Sequence, residues 1–204
     1  MSDPRHLPSE EELKKAGDCN VLDSQGNEVQ FSSIYSANKT IIVFIRHFFC
    51  GRCQEYVTAL ANIPKDKLDS SNVKVVVVGC GDWQAIKGSG YAALTNLQGD
   101  IFTDPTRNLY RALGMNIENL ETTPSGEKKR SYIKKSAVSG ILSSVWNGPL
   151  KNPNLLGKQG NISQLGGEFV FGPGNVCSFA SRMQHTEDHV EVDDLLKAAG
   201  VSGS

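Results

Sequence analysis

No apolar run in this chain is long enough to cross a bilayer. The longest, Ile41–Ile45 and Val75–Val78, fall far short of the roughly 20 residues a spanning helix needs. A surplus of charge is missing too. Twenty-one basic residues stand against 22 acidic ones, for a formal net charge of −1, so no global field is available to hold a polyanion and nucleic-acid binding is disfavoured. The N-terminus, Met1-Ser2-Asp3-Pro4-Arg5-His6, has no apolar stretch of the secretory kind and is too acidic for a transit peptide. The five cysteines are too sparse, and odd in number, for a secreted disulfide framework. The expectation is a soluble cytoplasmic protein without nucleic-acid or membrane partners.

At 204 residues the chain can bury a core of its own without staples, and one domain over 1–204 is expected, with its core over about 17–199. Ser9 and Glu12 form a capping-box pattern ahead of a short helix at 9–16. Asp23-Ser24-Gln25-Gly26-Asn27 separates two short strand-like runs, an N-terminal β-hairpin signal. Thr40–Ile45 and Val73–Val78 are continuous β-branched runs, the pattern of strands buried on both faces. Between them, Cys50 to Leu60 carries Cys53, Tyr56, Val57 and Leu60 at helical spacing.

A single helix weakened by Gly88 and Gly90 is expected over Trp83–Leu97. Asp104 is expected to cap a helix with Pro105 in its first turn. Residues 116–135 read as a charged, solvated loop. Val138, Ile141, Leu142, Val145 and Trp146 read as helical core, and 147–164 as a long loop. Gly172-Pro173-Gly174-Asn175 joins a second hairpin, and a last helix is expected over 190–199. Strands alternating with helices, with a hairpin at each end, give an α/β class with a mixed central sheet flanked by helices.

The chemistry starts at Cys50-Gly51-Arg52-Cys53. A cysteine pair at a helix start, just after a buried strand, has unpaired backbone N–H groups and the helix dipole to stabilise a thiolate. Arg46, His47 and Arg52 can add positive potential. Cysteines three apart share a helix face and can bond to each other. Cys50 is therefore assigned as nucleophile and Cys53 as the resolving thiol. Two chemistries use these parts: attack on a peroxide O–O bond, and attack on a substrate disulfide.

Rival readings are inert structural thiols and a zinc site. Zinc would need two further ligands; His185 and His189, four apart, read instead as surface residues near a helix start. Cys80, at the end of a strand, can lie beside the site, whereas Cys19 and Cys177 fall in outer strands with no role assigned. Gly79-Cys80-Gly81 does not complete a dinucleotide fingerprint, so any NADPH dependence is indirect.

Three ordered blocks add a resemblance: Phe44 to Cys53, Phe102-Thr103-Asp104-Pro105 followed by Leu109 to Gly114, and Gln164 to Gly174. With these, the chain resembles the peroxiredoxin-like 2 group of AhpC/TSA-type thioredoxin-fold proteins over about 17–196. The resemblance implies a thioredoxin-like fold and an antioxidant thiol oxidoreductase acting on peroxides or endoperoxides. It also implies an external thioredoxin- or glutathione-type reductant, no bound cofactor, and a redox centre at Cys50 and Cys53, with a homodimer left open.

Near Cys50, Arg46 can stabilise the thiolate or orient a peroxide oxygen as arginines do in peroxiredoxins; a salt bridge or a solvent-facing strand end is the alternative. The Pro-x-x-x-Thr/Ser-x-x-Cys motif is absent in either register: counting from Cys50, His47 and Val43 hold its positions. Phe44 stands where thioredoxins keep a buried Asp, and Leu165-Gly166-Gly167 replaces their cis-proline. Gly166 and Gly167 thus join His47, Arg52 and Cys80 as surroundings of the site. A thioredoxin-like disulfide reductase and a non-catalytic thioredoxin-fold binding module remain the alternatives.

Overall fold

The computed structural model describes residues 3–134 and 153–201. The helix expected around 138–146 lies outside them, as do the tail of the charged loop and the start of the loop that follows. The described elements are α1 (Glu10–Gly17), β1 (Asn20–Leu22), β2 (Glu28–Gln30), α2 (Phe31–Ile34), β3 (Lys39–Phe44), α3 (Gly51–Ala61), α4 (Lys65–Ser70) and β4 (Val73–Gly79). After these come α5 (Gln84–Gly88), α6 (Tyr91–Thr95), β5 (Asp100–Thr103), α7 (Asn108–Ala112), a 3-10 turn at Pro153–Leu155, β6 (Gly167–Gly172), β7 (Val176–Arg182) and α8 (Val192–Ala199).

The seven strands form one mixed sheet in the order β2-β1-β5-β4-β3-β6-β7. The centre is parallel, Ile41 opposite Val75 and Val77 opposite Ile101, and the flanks are antiparallel. Both faces are covered, which explains the unbroken apolar runs. On one face Ile41, Val43, Val75 and Val77 meet Cys53, Tyr56, Val57 and Leu60 of α3 and Leu195 of α8. On the other, Ile42, Phe44, Val76 and Val78 meet Ala16, Phe31, Leu109 and Tyr110. The hairpins, the capping box at Ser9 and the α3 boundaries match the sequence reading. No described helix is long and apolar enough to cross a membrane.

Four sequence expectations change. Trp83–Leu97 is two short helices, because Gly90 turns left-handed at φ +64° and Asn96 ends the second at φ +56°. Asp104 does not begin α7 directly. A turn runs from its carbonyl to the Arg107 N–H, Arg107 sits at φ +60°, and the Asp104 carboxylate reaches forward to cap the Leu109 N–H at 2.8 Å.

The 116–134 segment is not simply solvated. Its Tyr132 enters the core, Arg130 pairs with Asp188, and the Thr123 hydroxyl donates to Glu187. Finally, His185 and His189 are buried, at 7% and 0% exposure, because the stretch before α8 tucks under α3 instead of running along the surface.

At the junction of β3 and β6, a β-carbon on Gly166 would lie 1.8 Å from the Phe44 carbonyl oxygen, and one on Gly167 would lie 2.3 Å from that of Ser181. Backbone on both sides leaves no room for a side chain. A Gly166→Ala substitution should therefore cost about 3 kcal/mol of stability by forcing the sheet to shift, measurable by urea denaturation. A loss of only a few tenths would show that the junction yields.

Candidate active site

The site forms where β3 leaves the sheet. The end of a parallel strand and the start of the following helix face the same side, so the loop between Phe44 and Gly51 delivers its side chains beside the N-terminus of α3. Cys50 is the N-cap of that helix, in extended conformation at φ −73°, ψ 107°. Its sulfur accepts the Cys53 backbone N–H at 3.3 Å. A sulfur thus fills the place that a serine or aspartate oxygen usually takes, satisfying a helix donor that would otherwise be orphaned.

Two more donors converge on that sulfur. Arg46 Nη1 lies 3.5 Å from it, and the Cys53 thiol points at it with the sulfurs 2.6 Å apart. Cys50 and Cys53 are both free and buried, with exposures of 3% and 0%.

Burial alone would raise both thiols. For Cys50 it is outweighed by the Cys53 thiol hydrogen bond, the Arg46 charge and the Cys53 N–H, which hold it well below the ordinary thiol range. Cys53 moves the other way. Burial, the proton it donates to Cys50, and the negative charge on that sulfur push it well above. The pair is polarised into one thiolate and one thiol. Burial drives His47 down to about 4, so at neutral pH it is uncharged and Arg46 supplies the cation.

The sequence-assigned surroundings separate on inspection. Arg46 spans the site, its Nη2 donating to the Ile162 carbonyl at 2.6 Å, and its Nε is buried without a partner. His47 Nδ1 is likewise buried and unpartnered, although the ring keeps a partly exposed edge.

Arg52 pairs with two carboxylates. Its Nη1 and Nε bind Glu55 and Glu187, each at 2.9 Å, and its charge is spent on those carboxylates. Cys80 does lie at the site, its thiol donating to the Arg46 carbonyl at 3.0 Å, but burial pushes it up to about 11 and keeps it protonated. Gly166 and Gly167 allow the strands to close and present no functional group.

Sequence reasoning missed what lies beneath α3: Glu168 in β6, bonded to His189 Nδ1 with both side chains fully buried. The available signal was an acidic residue inside the apolar run of β6. Among the described residues no His/Cys/Asp/Glu cluster fits a metal, so the zinc reading finds no second ligand pair there. A cavity of about 420 Å³ between α4 and the starts of β4 and β5 lies at the opposite end of the strands from Cys50.

Two titrations check this electrostatic assignment. Replacing Arg46 with Met should raise the Cys50 pKa by at least one unit, read as thiolate absorbance or alkylation rate against pH; an unchanged titration would remove Arg46 from the account. His47, held near 4 against an ordinary 6.5, binds its proton in the unfolded chain first. Its contribution to stability is thus complete above about pH 6.5 and is lost as pH falls toward 4. The His47→Gln protein should gain stability relative to the parent across that window in denaturant titrations.

Comparison with known proteins agrees with the fold and the motif blocks. Residues 59–185 match the family described as AhpC/TSA antioxidant enzyme; the matched span begins just after the cysteine pair. Peroxiredoxin-like 2C of Homo sapiens is 35% identical over 89% of this chain and 77% of its own length. Prostamide/prostaglandin F synthase of Aquarana catesbeiana is 23% identical over 87% of this chain and 82% of its own. Among solved structures, Peroxidoxin BcpB from Mycobacterium tuberculosis superposes with a TM-score of 0.58 at 10% identity, covering 91% of this chain and 94% of that one, which shows the shared peroxiredoxin fold. With its ordered motifs, this sheet order and these relatives, the chain belongs to the AhpC/TSA antioxidant enzyme family.

Proposed function

We propose that this chain is a thiol-dependent oxidoreductase that reduces peroxides or endoperoxides through Cys50 and Cys53. The observation that carries the reading is the set of donors on one sulfur: Arg46 Nη1 at 3.5 Å, the Cys53 N–H at 3.3 Å and the Cys53 thiol. A nucleophile stabilised as thiolate and a protonated second thiol in contact with it are what a two-step thiol oxidation requires.

In the first step the Cys50 thiolate attacks one peroxide oxygen. An S–O bond forms and the O–O bond breaks; the other oxygen leaves with the electron pair and takes a proton. Cys50 is oxidised to sulfenic acid by a hydroperoxide, or to a sulfenate ester that retains the substrate oxygen by an endoperoxide, and the peroxide is reduced. Arg46 lies where it can hold the thiolate and then the peroxide oxygens, since its Nε has no partner in the protein. In the second step Cys53 attacks the Cys50 sulfur, the S–S bond forms, and water leaves from the sulfenic acid or the substrate alcohol from the ester. An external dithiol of the thioredoxin or glutathione type returns two electrons by thiol–disulfide exchange, and NADPH enters only behind that partner.

The match to prostamide/prostaglandin F synthase supports including endoperoxides, which carry the same O–O bond. A reducing compartment such as the cytoplasm suits a centre that must be recharged by thiols.

The test begins with fully reduced protein and one equivalent of hydrogen peroxide, quenched at short times with the cysteines mapped by mass spectrometry. Rapid appearance of a Cys50–Cys53 disulfide is expected. Cys50→Ser should abolish turnover, while Cys53→Ser should stop at sulfenic acid and then overoxidise. Thiols that stay reduced for many minutes, with peroxide and with an endoperoxide, would rule out this substrate class.

A further inference from the structure

A left-handed residue near the site is not explained by the fold alone. Arg107 precedes α7 at φ 60°, ψ 21°, a conformation that glycine, asparagine and aspartate adopt far more readily than a long side chain does. The turn itself does not call for arginine, because it is made by the backbone bond from the Arg107 N–H to the Asp104 carbonyl at 3.1 Å. Stability does not call for it either, since an ion pair as exposed as that of Arg107 with Glu118 contributes little. Backbone strain held at such a place points to the work of the side chain.

That side chain joins two segments. Arg107 Nη1 binds Glu118 Oε1 and donates to Gln164 Oε1 at 3.3 Å, and Glu118 and Gln164 face each other across an antiparallel bridge. Backbone bonds flank the bridge, from the Asn119 N–H to the Ser163 carbonyl at 2.9 Å and from the Leu165 N–H to the Ile117 carbonyl at 3.1 Å. Glu118 Oε2 accepts the Asn161 side-chain amide at 2.8 Å. The next residue, Ile162, offers its carbonyl to Arg46 Nη2 at 2.6 Å, and Arg46 Nη1 lies 3.5 Å from the Cys50 sulfur. Each step from Arg107 to Cys50 is a polar contact, apart from the peptide bond between Asn161 and Ile162. Among the described residues, that carbonyl and that sulfur are the two acceptors of the Arg46 guanidinium. Arg107 and Glu118 also lie within electrostatic reach of Cys80, whose thiol donates to the Arg46 carbonyl at 3.0 Å.

Resting on the reading of Cys50 as the nucleophilic thiolate, we propose that Arg107 is a positioning residue for it: with Glu118 it clamps residues 161–164, so that the Ile162 carbonyl keeps the Arg46 guanidinium against the Cys50 sulfur. Arg107 touches neither thiol and acts through Arg46. When the clamp is lost, the carbonyl no longer fixes the guanidinium, and less of its charge falls on the sulfur.

The test reads the Cys50 pKa from the pH profile of its alkylation, resolved by mass spectrometry. The midpoint of that profile reports thiolate fraction and not access. Arg107→Gly relieves the left-handed backbone while removing the clamp. The urea midpoint should therefore stay level or rise, while the Cys50 midpoint rises by at least about half a unit, a slowing of about threefold below both midpoints. A smaller rise would overturn the proposal.

Glu118→Ala separates positioning from charge at a distance. Loss of a negative charge by itself lowers the Cys50 midpoint, whereas loss of the clamp should raise it; a fall, or no change, would overturn the proposal. In the Arg46→Met background, Arg107→Gly should add nothing, because its route to the sulfur is gone. Any further rise would show another route and also overturn it.

A parent protein whose Cys50 titrates with ordinary thiols would take down the thiolate reading and the clamp together. An acidic Cys50 unmoved by these variants would take down the clamp alone. The expected shifts in protein inert to peroxide would support the clamp and take down the peroxide reading.

Discussion

The sulfur of Cys50 closing the N-terminus of α3 is the contact on which the rest of the structure depends. A helix start leaves donors without acceptors, and a thiolate in extended backbone just before the first turn accepts one of them directly. That bond fixes where the nucleophile points. It also requires β3 to end six residues earlier and the loop to bring Arg46 back over the sulfur. Arg46 in turn reaches the Ile162 carbonyl, so one guanidinium joins the cysteine loop to the segment that leads into β6. Position, charge and protonation state of the thiol all follow from this small set of donors.

The second constraint is that the sheet must close tightly just below. Gly166 and Gly167 let β6 approach β3 and β7 backbone to backbone, and the next residue, Glu168, is thereby pointed into the core under α3. An acidic side chain there would be expelled without a partner. His189 supplies one because the stretch ahead of α8 folds beneath the cysteine helix. The same stretch carries Glu187, which binds Arg52 from α3 at 2.9 Å and accepts the Thr123 hydroxyl at 2.7 Å. Polar groups from four distant parts of the chain, at Arg52, Thr123, Glu168 and the 187–189 stretch, thus pair with one another beside α3.

Much of this was legible in the sequence and some was not, for reasons that can be stated. The strands at 40–45 and 73–78 announced themselves because burial on both faces admits only apolar, β-branched residues, and the cysteine helix did so through its three-and-four spacing. Helix breaks were harder. Gly90 was visible as a weak point, but the left-handed turn at Arg107 comes from a residue type that rarely adopts it, so nothing local marked it.

The place of His189 was read wrongly from neighbourhood in sequence. Arg52 stands between two cysteines in sequence, yet it pairs with Glu55 and with the distant Glu187. His189 sits four residues from His185 before a helix, a surface pattern, yet it is completely buried. Long-range charge pairing has no period, and only tertiary structure shows it.

The polarisation of the two thiols also bears on how the centre turns over. Stabilising the reduced form through a buried cation means that forming the proposed disulfide would discard that stabilisation: Arg46 would face a neutral sulfur while still bonded to the Ile162 carbonyl. A disulfide whose reduced state is favoured in this way is the more easily reduced by an outside thiol. On the proposed reaction, the donors that stabilise the Cys50 thiolate would also favour the return of the oxidised pair to its reduced form, so attack and recovery would draw on the same guanidinium and helix terminus.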